Sequence, residues 1–315
     1  MKKVIVSMLA VLMLVGMSLK AAEQAPPEKK KAAPKNALND DLIKKITEAL
    51  PERAPALPAK PRKLLVFNLA RGFKHGSIPI AAKTFEIMGQ KTGAFQVVAT
   101  DDVSIFEPEK LQQFDAVMMN NTTGEIFGPV PKSGQKPTPE QEKGAALCKG
   151  LLDFVAGGKG VCGIHAATDW KGWDDYGRLM GAQFGGHPYR KIVCRNEDPT
   201  NPINAAFGGK DFEISDEMYT FKESYTRKDL RVLLSIDVEK SKIQKQVRKD
   251  QDYWVSWVRP FGKGRVFYCS LGHETPIFYN PQVLQHYLAG IQYALGDLKA
   301  EDAPRGEAKP VEIKR

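Results

Sequence analysis

From Lys63 onward the chain alternates short apolar runs with amphipathic stretches, and that alternation leaves few folds open. Leu64-Leu65-Val66-Phe67-Asn68-Leu69 is apolar at nearly every position, as a strand covered on both faces must be. Residues 78–91 then set Ile80, Ala81, Phe85 and Met88 on one side of a helix that Gly93 closes. Residues 95–100 and 115–120 read as the second and third strands. Residues 138–156 read as a long helix begun by Thr138 or Pro139, and 160–165 as a fourth strand. Such alternation predicts an α/β fold, a mostly parallel sheet with helices on both faces. Residues 231–237, 253–259 and 265–270 are further strands. The last two flank the tight turn Pro260-Phe261-Gly262-Lys263-Gly264, so an antiparallel hairpin extends the sheet. A closing helix at 281–295 completes one domain, 63–298.

The ends differ from this body. Met1-Lys2-Lys3, an apolar run at 4–17 and the small pair Ala21-Ala22 read as a signal peptide, 1–22. The expectation is export to a periplasmic or extracellular site, with no stable membrane insertion after cleavage, because the run is shorter than the roughly 20 residues that span a bilayer. Residues 23–62, rich in Pro, Lys and Ala, read as a flexible linker carrying one short helix, in which Leu42, Ile43, Ile46 and Leu50 recur at helical spacing. Residues 299–315 are a charged tail. The formal charge is +9, yet the leader, residues 23–63 and the tail hold nearly all of it, leaving residues 64–298 near +1. A near-neutral body does not bind phosphate backbones by charge, which excludes nucleic acid as a partner.

The unusual residues gather after strands, where open α/β sheets bind ligands. His75 follows the first strand, Asn121 and Thr122 the third, His165 the fourth and His273-Glu274 the hairpin. With His187, these put four of the five histidines in or beside glycine-flanked loops; His286, in the last helix, reads as structural. Gly163-Ile164-His165-Ala166-Ala167 has the small–x–x–x–small pattern of a strand-to-helix elbow, which lifts its central side chain above the sheet. Histidine there suits acid/base work or metal ligation. Cys162, three residues earlier, reads as a buried small residue. Cys148, Cys162, Cys194 and Cys269 have no C-x-x-C spacing, so neither a thiol pair nor a zinc ribbon is indicated. Asp216-Glu217 with Tyr219 either offers a carboxylate to the site or ends a solvated strand. Trp170 and Trp173, following the elbow, are candidates to stack on sugar faces, whereas Trp257 reads as core.

Several of these segments occur together in one known family. Phe73-Lys74-His75-Gly76-Ser77-Ile78, Gly163-Ile164-His165, Gly185-Gly186-His187-Pro188, Asp216-Glu217-Met218-Tyr219, Val255-Ser256-Trp257-Val258 and Gly262–Phe267 running on to Leu271-Gly272-His273 resemble, in the same order, the trehalose-utilisation (ThuA-like) proteins. The resemblance covers about 64–295. It implies a flavodoxin-like sheet of the class I glutamine amidotransferase type and a role in carbohydrate catabolism. An amidotransferase carries cysteine at the elbow; His165 stands there instead, which argues against glutamine hydrolysis.

Three functions remain open. In the first, His165 and His273 are an acid/base pair oriented by Glu274 or Glu217, acting on a sugar or keto-sugar, with His75, Asn121, Thr122, Trp170, His187 and Tyr219 binding it. In the second, a divalent metal such as zinc sits among His75, His165, His187 and His273 with a carboxylate. In the third, the protein binds carbohydrate without catalysis.

Overall fold

The computed structural model describes residues 38–131 and 134–306. The expected signal peptide, linker residues 23–37 and the tail from 307 lie outside the described residues. The first half of the chain runs α1 (Asp40–Ala49), β1 (Lys63–Phe67), α2 (Ile78–Thr92), β2 (Gln96–Thr100), α3 (Pro108–Leu111), β3 (Ala116–Asn120), β4 (Thr123–Gly124) and α4 (Pro139–Ala156). The second half runs β5 (Gly160–Ile164), β6 (Asp169–Trp170), α5 (Asp174–Met180), β7 (Phe184–Asn196), β8 (Phe212–Phe221), β9 (Arg231–Ile236), β10 (Trp254–Phe261), β11 (Gly264–Cys269) and α6 (Pro281–Leu295).

Among the described residues, nine strands form one sheet in the order β2-β1-β3-β5-β11-β10-β9-β7-β8. The first five are parallel and the later pairings antiparallel. Counted in chain order, the parallel strands lie 2-1-3-4-5, the flavodoxin-like arrangement expected from the sequence. Successive strand residues face opposite sides. Leu64, Val66, Met118, Ile164 and Phe267 therefore pack under α2 and α6, while Leu65, Phe67, Val117, Val161 and Tyr268 pack under α4 and α5. Each such side chain leaving water contributes about 1.5–3 kcal/mol.

Two expectations are corrected. Linker residues 38–62 are part of the body. Asn39 caps α1 by accepting from the Leu42 N–H at 2.8 Å, and Leu42, Ile46 and Leu50 are buried in the α2/α6 core. The proline-rich arm that follows is held by the Ala56 N–H donating to Gln292 and by Arg62 gripping Asp297. Proline-rich chain orders readily when it docks extended on a ready-made surface. The start of the charged tail docks as well, with Arg305 reaching Asp198 and Asp302 accepting from the Tyr293 hydroxyl. The second correction is an addition: β7 and β8, a long antiparallel pair, have no counterpart in the strands read from the sequence. Register shifts between Phe184 and Lys191, around Gly186 and Pro188, break the alternation that marks a strand.

The registers set up the site. Ile164 pairs with both Asn120 and Cys269, so Asn121, His165 and Ser270 leave the sheet side by side at its carboxyl edge.

Candidate active site

His165 opens a 3-10 turn directly after β5 with φ of 42°, a left-handed conformation that non-glycine residues adopt at a cost. Surrounding groups enforce it. The Tyr268 hydroxyl donates to the His165 carbonyl at 2.6 Å. A Cβ on Gly163 would stand 2.4 Å from Met180 Cε and 2.9 Å from Ala167 Cβ, so only glycine lets the turn fold back on the strand. The imidazole is fully buried and lies against the Tyr219 ring, with centroids 4.2 Å apart. Its Nδ1 is 2.9 Å from the Ser270 carbonyl, which can only accept, so Nδ1 carries the proton. Nε2 is left bare, 3.3 Å from His273 Nδ1 and 3.6 Å from Glu217 Oε2.

Asp216 and Glu217 are both buried, and they do different work. Asp216 accepts the backbone N–H groups of Gly272, His273 and Glu274 at 2.6, 3.2 and 2.8 Å, which fixes the loop bearing His273. Burial pushes its carboxyl up, against the pull of His165 and these three donors. Glu217 faces the histidines. Its Oε2 is 3.2 Å from His273 Nδ1, and its Oε1 is 3.2 Å from both His187 Nδ1 and Arg190 Nη2. Burial opposes its charge, but His165, His273 and His187 together draw it down to about 2, so it is a carboxylate.

His75, on the loop after β1, closes the remaining side. Its ring stands edge-on to His165 and His273, with centroids at 4.9 and 5.3 Å. Burial, then the cost of placing a positive charge beside His165 and His273, lowers it to about 3; burial and the same cost beside His165 lower His273 as well. Both imidazoles are neutral and hold free lone pairs. The Ser77 hydroxyl donates to the Gly272 carbonyl at 2.8 Å, tying this loop to that of His273.

The structure therefore brings together His75, His165, His273, Glu217, His187 and Tyr219 from the residues expected at the site. Asn121 and Thr122 are buried at the end of β3, where Asn121 donates to Asn120. Glu274 stands apart, half-exposed and paired with Arg190 at 3.0 Å. Trp170 is corrected: it is buried, its indole N–H donates to the Ala182 carbonyl, and no face is free for a sugar. Trp173 is likewise core, bonded to Gly128. The aromatic ring that is exposed here is Phe73, 66% exposed and 4.8 Å from His75, and nothing in the sequence pattern singles it out as a binding residue. Arg190 is a second site residue without a sequence signal, because it lies in the irregular part of β7. His286 is structural, held between Ser256 and Ile203. The four cysteines are buried and free, and burial raises Cys162, so no thiolate nucleophile is on offer there.

One atom from each of His75, His165, Glu217 and His273 lies within 4.8 Å of every other, so these four are the residues that could hold a metal; His187 is outside the group. A separate cleft of about 670 Å³ lies among Arg195, Arg227 and Asp252 at the antiparallel end. Its arginines are committed to Asp237, Asp252 and Glu197, and it gathers no imidazoles.

Comparison with known proteins agrees with this architecture. A ThuA-like protein from Bacteroides uniformis is similar in fold, with a TM-score of 0.59 and 21% identity over 76% of this chain and 94% of that one. A ThuA-like protein from Parabacteroides merdae gives a TM-score of 0.52 and 15% identity over 77% and 93%. No curated protein matches the chain. The family model described as trehalose utilisation matches residues 63–294, which is most of the sequence, and the chain belongs to that family, ThuA.

Proposed function

We propose that the protein is an exported enzyme of carbohydrate catabolism that moves a proton beside the carbonyl of a keto-sugar. The observation that carries this reading is the seat of Glu217, between His187 on one oxygen and His165 with His273 on the other. At His187, which stands outside the cluster of His75, His165 and His273, the carboxylate on Nδ1 keeps that nitrogen protonated and leaves Nε2 of the ring as the proton acceptor. His187, with a side chain 51% exposed, is the imidazole that reaches substrate most freely. It takes the proton from the carbon next to the carbonyl. The C–H electron pair becomes the new C=C bond, and the carbonyl π pair moves onto oxygen. The wall formed by His75, His165 and His273 faces that oxygen. Return of the proton to the former carbonyl carbon, with the α-hydroxyl proton passing to the enolate oxygen as the new C=O forms, gives isomerisation; departure of a β-oxygen, protonated as it leaves, gives elimination.

The charged start, short apolar run and small residues at Ala21-Ala22 support export, and membership of a family described as trehalose utilisation supports a sugar substrate. Phe73 supplies the exposed ring for the C–H face of a pyranose. Turnover of trehalose carrying one ring ketone tests the reading. We expect His187→Ala to lower kcat by at least about a hundredfold, and Phe73→Ala to raise KM about tenfold with kcat little changed. Unaltered turnover in His187→Ala, or binding of sugar with no turnover of any keto-sugar, would refute it.

A further inference from the structure

We propose that His165 Nε2, His273 Nδ1 and Glu217 Oε2, closed on a fourth side by His75, hold a divalent cation of the zinc type. This rests on the reading above and names the electrophile that faces the carbonyl oxygen. The first argument is spacing. The three atoms are 3.3, 3.6 and 3.2 Å apart. Ligands at about 2.0–2.1 Å around a tetrahedral ion are separated by about 3.3–3.4 Å. Three side chains from three separate elements, the turn after β5, β8 and the loop after β11, thus already stand near the corners of one coordination polyhedron.

The second argument is support around the ligands. The Ser270 carbonyl fixes the His165 tautomer and aims Nε2 inward. Asp216 clamps the backbone at His273 with three hydrogen bonds. His187 and Arg190 hold the far oxygen of Glu217. Metal sites rely on such outer partners to orient their ligands.

The third argument is His75. It is 4% exposed, and its Nδ1 is buried with no hydrogen-bond partner among the described residues. Few buried polar nitrogens are left in that state, and a bond to a cation satisfies one. A nitrogen-rich set with one carboxylate and no sulfur suits zinc or a similar borderline ion. The sugar oxygen joins as an added ligand, and His187, outside the group, keeps its role as base.

The test strips the protein with chelator, reloads it with zinc, removes excess by dialysis and counts zinc by mass spectrometry, with zinc-edge X-ray absorption on the same sample. We expect about one zinc per chain with a nitrogen/oxygen shell at about 2.0–2.1 Å, and a melting temperature raised by zinc. His273→Ala and Glu217→Gln should each weaken binding at least a hundredfold, while His187→Ala retains the ion. Melting without zinc separates lost ligation from lost folding, and His273, at the solvent edge, is the variant least disturbing to packing. No zinc retained by the wild type, sulfur in its shell, or equal binding by His273→Ala and Glu217→Gln would overturn the proposal. Zinc binding without keto-sugar turnover would sink only the functional reading; turnover by the chelated protein would sink only the metal.

Discussion

His165 Nδ1 lies 2.9 Å from the carbonyl of Ser270, a residue 105 positions further along the chain. The parallel register that pairs Ile164 with Cys269 puts the two side by side. One contact thereby sets the tautomer, and the backbone at φ 42° sets the direction. Asparagine tolerates that backbone well and a β-branched residue does not. His165→Asn is expected to melt within a few degrees of wild type while activity falls at least about a hundredfold. His165→Val should lose about 1–3 kcal/mol of stability, read by urea denaturation. Equal stability of the two variants would contradict the strain argument.

Asp216 satisfies three backbone donors at once. Its replacement by alanine leaves the buried Gly272 N–H without an acceptor, at about 1–3 kcal/mol for a buried unsatisfied group, and releases the part-buried donors of His273 and Glu274 as well. Asp216→Ala is therefore expected to lose about 3 kcal/mol or more, with activity lost because the His273 loop is freed. Denaturant melts check the first part, and an unchanged midpoint would refute it.

Ile46 lies in the segment that composition alone reads as spacer, yet it is fully buried. Ile46→Ala is expected to destabilise by about 2–4 kcal/mol, the usual scale for an aliphatic core truncation. A change below about 0.5 kcal/mol, the scale of surface sites, would mean that α1 does not stay docked.

His286 is buried, and burial lowers it to about 4, against the pull of the Ile203 carbonyl. Below the ordinary value of 6.5 the unfolded chain takes up a proton that native His286 refuses until about pH 4. Its contribution to stability is thus full above pH 6.5 and falls as pH drops through that window. Between about pH 7.5 and 4.5 the difference is about 2.5 kcal/mol. His286→Gln should flatten the pH dependence of stability by that amount. An identical slope in the two proteins would show that native His286 takes up its proton as readily as the unfolded chain does.

The parallel half of the fold was legible because its strands are buried on both faces and its helices carry clear caps. Thr138 with Gln141 and the left-handed Gly93 mark their ends in sequence as in space. The convergence of His75, His165 and His273 followed from the same topology. What stayed hidden depended on tertiary contact. Asp216 and Glu217 are adjacent letters, but only the crossing of β8 over the end of β11, with the Tyr219 N–H on Ser270 Oγ, gives one to a loop and the other to the imidazoles. Trp170 looked available because it follows the elbow; its indole turns inward toward Ala182 and Tyr176. Local composition also could not reveal that α1 has a groove waiting against α2 and the 3-10 turn at Thr275–Tyr279.

The central claim is that Glu217 and its histidines form the reactive centre, and solvent deuterium exchange tests it most directly. A keto-sugar is incubated in D2O with wild type and with Glu217→Gln, and NMR follows loss of the C–H signal beside the carbonyl. The account predicts enzyme-dependent exchange in the wild type and a rate at least about a hundredfold lower in Glu217→Gln. Exchange at the same rate in both proteins would contradict it.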